Sequence, residues 1–274
     1  PGEGRLRRVR EDLERIGEAL QAALAVLRRF TPGDVAARRK SGDDPVTEAD
    51  TQVDTLLRRL LPQEGEGWLS EETTDDPSRL ERRRVWVVDP LDGTREFVEG
   101  IPEWSVSVGL VVDGEPVAGG ICNPATGETI LGAQGMGVTL NGQPARVSAR
   151  ERLEEATVVA SRSEVKRKEW EGYREGAFHM RPTGSVAYKL GLVAAGLVDA
   201  TWTLTPKHEW DVAAGVALVR AAGGVVVVGS GGGSEEDRFN RPKPKLTRLI
   251  AAPPQLLPQI QEEIAWRERM LAGV

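Results

Sequence analysis

The stretch that decides the fold runs from Val85 to Gly100 and reads Val-Trp-Val-Val-Asp-Pro-Leu-Asp-Gly-Thr-Arg-Glu-Phe-Val-Glu-Gly. Its first four residues are β-branched or aromatic, and they predict a strand that ends at Asp89-Pro90. Asp92-Gly93 follows, and Thr94 opens a short helical segment. The pattern therefore predicts a strand that ends in a turn with two carboxylates, directly before the start of a helix.

Two aspartates beside a helix start have the parts of a site for a metal ion and a phosphate. Mg²⁺ prefers carboxylate, carbonyl and water oxygens. The N–H groups at the helix start, here those of Gly93, Thr94 and Arg95, have no partner within the helix and can bind an anion. The alternative is structural, because Asp, Pro and Gly are ordinary turn residues and Thr is an ordinary N-cap.

The segment Asp89-Pro90-Leu91-Asp92-Gly93-Thr94 resembles the signature of the inositol monophosphatase superfamily. The resemblance implies an α/β (α+β) fold, a layered αβαβα sandwich of the inositol monophosphatase or sugar phosphatase type. It also implies a Mg²⁺-dependent phosphatase that is often sensitive to lithium. Matching segments elsewhere extend the resemblance across most of the chain.

Those segments supply the remaining candidate metal ligands. The resemblance implies two to three Mg²⁺ ions held by carboxylates and one carbonyl, contributed by Glu71, Asp89, Leu91, Asp92 and Asp211. Glu72 is expected to support Glu71 without itself binding the metal ion. Each carboxylate also has a structural alternative: Glu71 and Glu72 as an acidic loop, and Asp211 as a helix N-cap.

Asp50 is the expected partner of Thr94. Val46-Thr47-Glu48-Ala49-Asp50 resembles the superfamily's Val-Thr-x-x-Asp segment, although Thr47 and Asp50 also have the spacing of a capping box. The resemblance implies attack of a metal-activated water on a phosphate ester, without a phosphoenzyme intermediate. Thr94 and Asp50 would orient that water and help to remove its proton.

The substrate is the least determined part of the prediction. Ser161-Arg162-Ser163 and Arg95-Glu96-Phe97 resemble the 3′(2′),5′-bisphosphate nucleotidase (CysQ-like) branch, although Glu164 stands where that branch usually has His. Gly184, Ser185 and Lys189 resemble the loop that meets the substrate. Leu204 lies where inositol phosphatases tend to place a carboxylate. These segments favour 3′-phosphoadenosine 5′-phosphate, with Ser161, Arg162, Gly184, Ser185 and Lys189 as substrate-binding residues.

Two alternatives stay open. One is an inositol-1-monophosphatase or a related sugar phosphatase, and the other is a non-catalytic metal-binding regulatory protein of the same fold. Leu204 argues against the former, because an apolar residue would leave ring hydroxyls unpaired. The presence of both Thr94 and Asp50 argues against the latter.

Composition limits the classes of partner. The formal charge of −6 argues against binding to a nucleic-acid polymer, and no apolar run is long enough to cross a membrane. The single cysteine, Cys122, and the charged start of the chain indicate a cytoplasmic protein. We expect a small phosphorylated metabolite as the partner, and a homodimer is compatible with the sequence.

Hydrophobic periodicity predicts two halves, an N-terminal α+β half over residues 1–150 and a C-terminal α/β half over residues 151–274. The N-terminal half is expected to carry most metal ligands, and the C-terminal half the substrate loops and Asp211. Residues 38–45 are predicted to form a loop. The other predicted elements are helices over 4–30, 46–61, 184–195, 212–222 and 258–271 and strands over 105–112, 117–122, 129–131, 138–140, 158–160, 198–204 and 225–228.

Overall fold

The computed structural model describes residues 2–39, 45–229 and 237–273. The described residues form seven α-helices: α1 (Gly2–Leu27), α2 (Glu48–Leu60), α3 (Thr94–Glu99), α4 (Arg162–Lys166), α5 (Val186–Ala194), α6 (Glu209–Ala221) and α7 (Leu257–Ala272). None of these helices is both long enough and apolar enough to cross a bilayer.

Sixteen strands are formed within the same described ranges. In the first half they are β1 (Ala37–Arg39), β2 (Pro45–Thr47), β3 (Gly67–Ser70), β4 (Arg84–Asp92), β5 (Ser105–Val112), β6 (Glu115–Asn123), β7 (Glu128–Ala133), β8 (Gly137–Leu140) and β9 (Gln143–Ala145). In the second half they are β10 (Thr157–Ser161), β11 (His179–Thr183), β12 (Ala200–Trp202), β13 (Lys207–His208), β14 (Val225–Val228), β15 (Lys245–Leu246) and β16 (Leu249–Ala252).

Two sheets carry the architecture. The larger has the order β3-β4-β5-β6-β7-β8-β9, in which only β3 and β4 are parallel. The smaller has the order β11-β10-β12-β16-β14, with β10 parallel to both of its neighbours. Two-residue turns join β5 to β6 at Asp113-Gly114 and β8 to β9 at Asn141-Gly142. Both residues of each turn have positive φ, as a type I′ hairpin requires.

Five layers result from the way the helices cover these sheets. The apolar sides of α1 and α2 pack on one face of the larger sheet. Helices α5 and α6 lie between the two sheets, in a core cluster that contains residues of both. Helix α7 covers the outer face of the smaller sheet through Ile260 and Ile264. The order is αβαβα, which confirms the predicted fold.

The middle layer explains why α6 is rich in small residues. Gly109 and Gly119 of the larger sheet face the backbone of α6 at Ala213 and Ala214. A Cβ atom on Gly119 would lie 2.5 Å from the Ala214 carbonyl oxygen. The larger sheet and α6 therefore approach one another more closely than a side chain at either glycine would permit. This approach fixes the start of α6 relative to the larger sheet.

Most predicted elements are present, with three differences. Strand β4 continues through Asp89 to Asp92 instead of ending at Asp89. The predicted strand over 198–204 is reduced to Ala200–Trp202. The predicted loop over 38–45 begins and ends in paired strands β1 and β2, because Arg38 and Val46 are partners in a short antiparallel ladder. Residues 40–44 of that loop, and most of the glycine-rich segment 229–234, lie outside the described residues.

Gly119→Ala should lower the stability of the protein, because its Cβ must displace the backbone of α6. Overpacking of this kind typically costs about 1–3 kcal/mol. Thermal and urea unfolding would measure the effect. Gly4→Ala is the matched control, since no atom lies within 4 Å of its Cβ position; we expect it to be neutral or slightly stabilising. A Gly119→Ala protein as stable as the wild type would contradict this account of the middle layer.

Candidate active site

A β-bulge in β4 brings two aspartates to the same side. Residues three apart on a regular strand point to opposite faces. In the ladder with β5, however, Asp89 pairs with Ser107 and Asp92 with Ser105, so three steps on β4 oppose two steps on β5. The extra residue reverses the alternation of side chains between the two faces of the sheet. Pro90 lies within the bulge and has no N–H group, so no ladder hydrogen bond from its nitrogen is lost there. Both carboxylates therefore reach one point at the end of the strand.

The third carboxylate comes from the first turn of α6. The backbone N–H of His208 donates to Asp211 Oδ2 at 2.8 Å, which orients the side chain back over the helix start. Asp89, Asp92 and Asp211 each offer a carboxylate oxygen, and these oxygens lie within 4.8 Å of one another. Three hard oxygen donors at this separation fit a divalent ion such as Mg²⁺. His208, not Asp211, precedes the first residue of α6, so the N-cap alternative for Asp211 is wrong; Asp211 is the third helical residue, and its contact with the His208 N–H leaves it able to bind a metal ion.

Convergence of these carboxylates makes their ionisation costly. Burial raises the pKa of Asp89 well above its usual range, and the charges of Glu71, Asp92 and Asp211 raise it further. Burial and the charges of Asp92 and Glu71 likewise raise the pKa of Asp211 well above its usual range. Burial also raises the pKa of Asp92, although hydrogen bonds from Ser185 and the Ala187 N–H oppose the shift. Cations at this point would remove the repulsion.

Glu71 reaches the cluster from the neighbouring strand. Because β3 and β4 are parallel, their carboxyl ends meet at the same edge of the sheet, and Glu71 directly follows β3. Its N–H donates to the Val88 carbonyl at 3.4 Å, and its side chain lines the same cleft as Asp92 and Asp211. Glu72 does not line that cleft; its N–H donates to Ser70 Oγ at 3.4 Å. Both assignments remain predictions, and the geometry favours Glu71 as the nearer ligand.

Thr94 and Asp50 are joined as predicted. Thr94 Oγ1 lies 2.9 Å from Asp50 Oδ1 and 2.9 Å from the Leu91 carbonyl oxygen. Asp50 Oδ2 accepts from the N–H of Thr47 at 2.7 Å and from its hydroxyl at 2.6 Å. Asp50 therefore has both of the roles considered from the sequence, because one oxygen caps α2 and the other accepts from Thr94.

Gly93 shapes the turn that presents Thr94 and Arg95. It has φ of 90°, and a Cβ atom there would lie 3.0 Å from the Glu103 carbonyl oxygen. Both facts demand glycine. Gly93, not Thr94, precedes the first helical residue, so the N-cap alternative for Thr94 is wrong. Thr94 and Arg95 open α3, and all three residues line the cleft.

The cleft has a volume of about 500 Å³ and is predominantly polar. Four of the five residues predicted to bind substrate line it, namely Ser161, Gly184, Ser185 and Lys189. Ser185 Oγ donates to Asp92 Oδ2 at 2.6 Å, so it holds a candidate metal ligand. Burial lowers the pKa of Lys189 to about 8, and its ammonium donates to the Thr183 carbonyl at 3.3 Å.

Two residues used in the substrate prediction are placed elsewhere. Arg162 forms a bidentate ion pair with Glu103, at 2.6 Å for the shortest contact, and does not line the cleft. Leu204 packs against the apolar cluster under α7 and also does not line it. Its apolar side chain therefore does not leave substrate hydroxyls unpaired, and that argument against an inositol phosphate no longer holds.

Sequence reasoning missed the residues that line the C-terminal side of the cleft. These include three cations and two stacked rings: Arg167, Lys207, Lys245, His208 and Trp210. The rings of His208 and Trp210 are 4.4 Å apart and parallel. Trp210 adjoins the recognised Asp211, but the other residues lie in segments that matched no motif. The neighbourhood of Asp211 could have indicated Lys207, His208 and Trp210, whereas Arg167 and Lys245 are remote from it in sequence.

Fold and site together define a class of protein. A five-layer αβαβα sandwich holds a cluster of aspartates where strand β4 ends and helix α6 begins, and the cleft beside it carries basic side chains. The profile of the inositol monophosphatase family matches residues 9–267. The chain belongs to the inositol monophosphatase family. The family is one of metal-dependent phosphatases, which confirms the expectation of an enzyme of the hydrolase class.

Relatives and solved structures support this placement. A Thermotoga maritima protein named fructose-1,6-bisphosphatase/inositol-1-monophosphatase is 35% identical over 195 residues, which are 68% of this chain and 73% of the relative. The inositol-1-monophosphatase of Rhizobium meliloti is 35% identical over 194 residues, or 68% and 72% of the two chains. The structure of a Thermotoga maritima inositol monophosphatase has a TM-score of 0.77 at 27% identity, covering 97% of this chain and 99% of its own.

One solved structure bears on the branch suggested by the sequence. CysQ from Bacteroides thetaiotaomicron, described as a bacterial member of the inositol monophosphatase family, has a TM-score of 0.72 at 26% identity. The match covers 89% of this chain and 97% of that one. Both branches thus share this fold with the chain, and the choice of substrate depends on the cleft.

Metal binding to this cluster should release protons. Because burial and repulsion raise the pKa values of Asp89 and Asp211, the metal-free protein retains protons there that a divalent ion displaces. We expect apparent Mg²⁺ affinity to fall as the pH is lowered toward these raised values. Calorimetry in two buffers of different ionisation enthalpy measures the protons released. Asp34→Asn, at an exposed aspartate outside the cleft, is the control. A pH-independent affinity without proton release would contradict the electrostatic account.

Proposed function

We propose that this chain is a Mg²⁺-dependent phosphatase that hydrolyses a small phosphate monoester. The observation that supports the proposal best is the convergence of Asp89, Asp92 and Asp211 within 4.8 Å. Asp89 is buried, while Asp92 and Asp211 line a cleft that also carries basic side chains. These three, with Glu71 and the Leu91 carbonyl, would hold two to three ions. Bound Mg²⁺ supplies Lewis-acid stabilisation of phosphate charge and lowers the pKa of a coordinated water.

The chain's own residues would orient the attacking water. The Thr94 hydroxyl has its hydrogen directed at Asp50 Oδ1 or the Leu91 carbonyl, because both neighbours are acceptors. Its oxygen lone pairs are then available to accept a hydrogen bond from a water in the cleft. Asp50 fixes this orientation and can accept the proton passed through Thr94. The N–H groups of Gly93, Thr94 and Arg95 would hold the phosphate oxygens.

A phosphate ester with a second phosphate is the substrate class we favour, with 3′-phosphoadenosine 5′-phosphate as the specific candidate. The basic side chains of Arg167, Lys207 and Lys245 lie along the cleft beyond the aspartate cluster. They would complement the additional charge of a bisphosphate. The stacked ring of Trp210 offers an apolar surface beside them for the leaving group.

Inositol 1-phosphate is the second candidate. Its support is the naming of several relatives as inositol monophosphatases, among them the Rhizobium meliloti protein. Comparison of kcat/KM for the two substrates at one Mg²⁺ concentration distinguishes them. A clear preference for inositol 1-phosphate would contradict the bisphosphate proposal while leaving the metal chemistry in place.

The phosphatase proposal itself is tested by Asp211→Asn. The amide oxygen of the new asparagine can still accept from the His208 N–H, so the fold should persist. Loss of the negative charge, however, weakens the binding of the cation. We expect Mg²⁺-dependent phosphate release to fall by orders of magnitude, and thermal stability without metal to be kept or raised. Near-normal turnover of Asp211→Asn at low Mg²⁺ would refute the assignment of Asp211 as a metal ligand. If the wild type released no phosphate from any ester in a panel, the phosphatase proposal itself would be refuted.

Thr94→Ala separates water orientation from metal binding. The change removes the hydroxyl that contacts Asp50 but leaves every carboxylate in place. We expect kcat to fall by about 10²–10⁴-fold, with a much smaller change in Mg²⁺ affinity. Thr94→Ser, which keeps the hydroxyl, should retain most of the activity. An unchanged kcat in Thr94→Ala would restrict Thr94 to a structural role. Inhibition by Li⁺, expected from the family resemblance, can be measured in the same assays.

A further inference from the structure

Lys207 is held in a defined position at the surface of the cleft. Its side chain is 15% exposed. The ammonium lies 3.3 Å from Glu164 Oε1 and donates to Thr205 Oγ1 at 2.9 Å. An ammonium has three N–H donors, and these contacts use two of them. The third is available to a ligand in the cleft that Lys207 lines.

Glu164, which anchors Lys207, is itself immobilised. Its side chain is buried, and it accepts from Trp170 Nε1 at 2.9 Å and from Thr205 Oγ1 at 2.8 Å. Trp170 belongs to a cluster of aromatic rings that includes Trp202, at 5.1 Å between centroids. Burial acts to raise the pKa of Glu164, but the charge of Lys207 and these hydrogen bonds lower it overall. Glu164 therefore stays ionised and fixes the lysine.

The other cations of the cleft are placed differently. Arg167 is exposed and forms an ion pair with Glu169 at 2.6 Å. Lys189 is 2% exposed and donates to the Thr183 carbonyl, so it lies behind the surface. Arg95 and Lys245 are exposed. Among the cationic side chains that line the cleft in the described ranges, Lys207 combines access to a ligand with a buried anionic anchor.

We propose that Lys207 binds a second phosphate group of the substrate and that Glu164 positions Lys207, so that this cleft selects bisphosphates over monophosphates. The inference rests on the proposed phosphatase function. A fixed ammonium donates charge-assisted hydrogen bonds to phosphate, and little side-chain entropy remains to be lost when it does so. A nucleoside 3′,5′-bisphosphate and a sugar bisphosphate share this chemistry.

The test compares Lys207→Met with Lys166→Met, an equal loss of charge at an exposed lysine outside the cleft. Both are assayed on 3′-phosphoadenosine 5′-phosphate, fructose 1,6-bisphosphate and inositol 1-phosphate. For the bisphosphate that the wild type prefers, we expect Lys207→Met to lower kcat/KM at least about tenfold, mainly through KM. Because the charge of Lys207 also acts on Asp92 and Asp211, kcat/KM for inositol 1-phosphate can fall as well, but it should fall less than kcat/KM for the bisphosphate. Lys166→Met should match the wild type throughout.

Glu164→Gln tests the positioning role. The amide can still accept from Trp170 or Thr205 but cannot neutralise Lys207. We therefore expect KM for the bisphosphate to rise by a larger factor than KM for inositol 1-phosphate. Lys207→Arg should recover part of the bisphosphate preference, because it restores the charge. An equal loss on mono- and bisphosphates in Lys207→Met, or no loss on either, would overturn the proposal. Comparison of the two bisphosphates shows whether Lys207 binds the second phosphate of a nucleotide or that of a sugar.

A binding measurement separates this inference from the proposed function. Calorimetry in the presence of Mg²⁺ compares Asp92→Asn with the double variant Asp92→Asn/Lys207→Met. Turnover should be suppressed in both variants, so binding of 3′-phosphoadenosine 5′-phosphate and of fructose 1,6-bisphosphate can be measured without hydrolysis. We expect the double variant to bind the preferred bisphosphate at least about tenfold more weakly. Equal affinities, or no binding of either bisphosphate to Asp92→Asn, would overturn the role of Lys207. Absence of phosphate release from every ester by the wild type would refute the phosphatase proposal instead.

Discussion

Repulsion between Asp89, Asp92 and Asp211 is the constraint on which the rest of the site depends. Their oxygens lie within 4.8 Å of one another, and burial makes the charged forms costly. Neighbouring groups reduce that cost without removing it. Ser185 and the Ala187 N–H donate to Asp92, and the His208 N–H donates to Asp211. A protein that keeps such an arrangement must obtain a compensating interaction, and divalent cations are the natural source.

The fold maintains the arrangement by fixing three elements. The bulge in β4 aligns Asp89 with Asp92, and the parallel pairing of β3 and β4 brings Glu71 to the same edge. Close approach of α6 to Gly109 and Gly119 sets the position of Asp211. Because these elements come from both halves of the chain and share one core, a shift of any of them would move a carboxylate. The five-layer packing and the site are therefore coupled.

How much could be predicted from the sequence depended on whether a residue lies in a local motif. The strand–turn–helix around Asp89 and Thr94 has a local pattern, and the pairing of Thr94 with Asp50 followed from the family resemblance. The bulge was not predicted, because Val85 to Val88 has the composition of a plain strand that meets an Asp-Pro-Leu-Asp-Gly turn. The fold class was predicted from the resemblance, and the number of layers agrees with it.

Substrate residues were harder to predict because their orientation depends on long-range contacts. Arg162 directly follows Ser161, yet its guanidinium turns to Glu103, which is 59 residues away in sequence. Leu204 turns into an apolar cluster, whereas Thr205 next to it lines the cleft. The pairing of Glu164 with Lys207 spans 43 residues and matches no motif. A local pattern carries no information about such contacts.

The measurement that tests the central claim most directly is a crystal structure with Mn²⁺ in place of Mg²⁺, in which anomalous scattering locates the ions without assumptions about activity. The account predicts at least one Mn²⁺ coordinated jointly by Asp89, Asp92 and Asp211, with a further ion, where present, on Glu71, Asp89 and the Leu91 carbonyl. Anomalous peaks only at other places, or a cluster of aspartates without bound Mn²⁺ at saturating concentration, would contradict it.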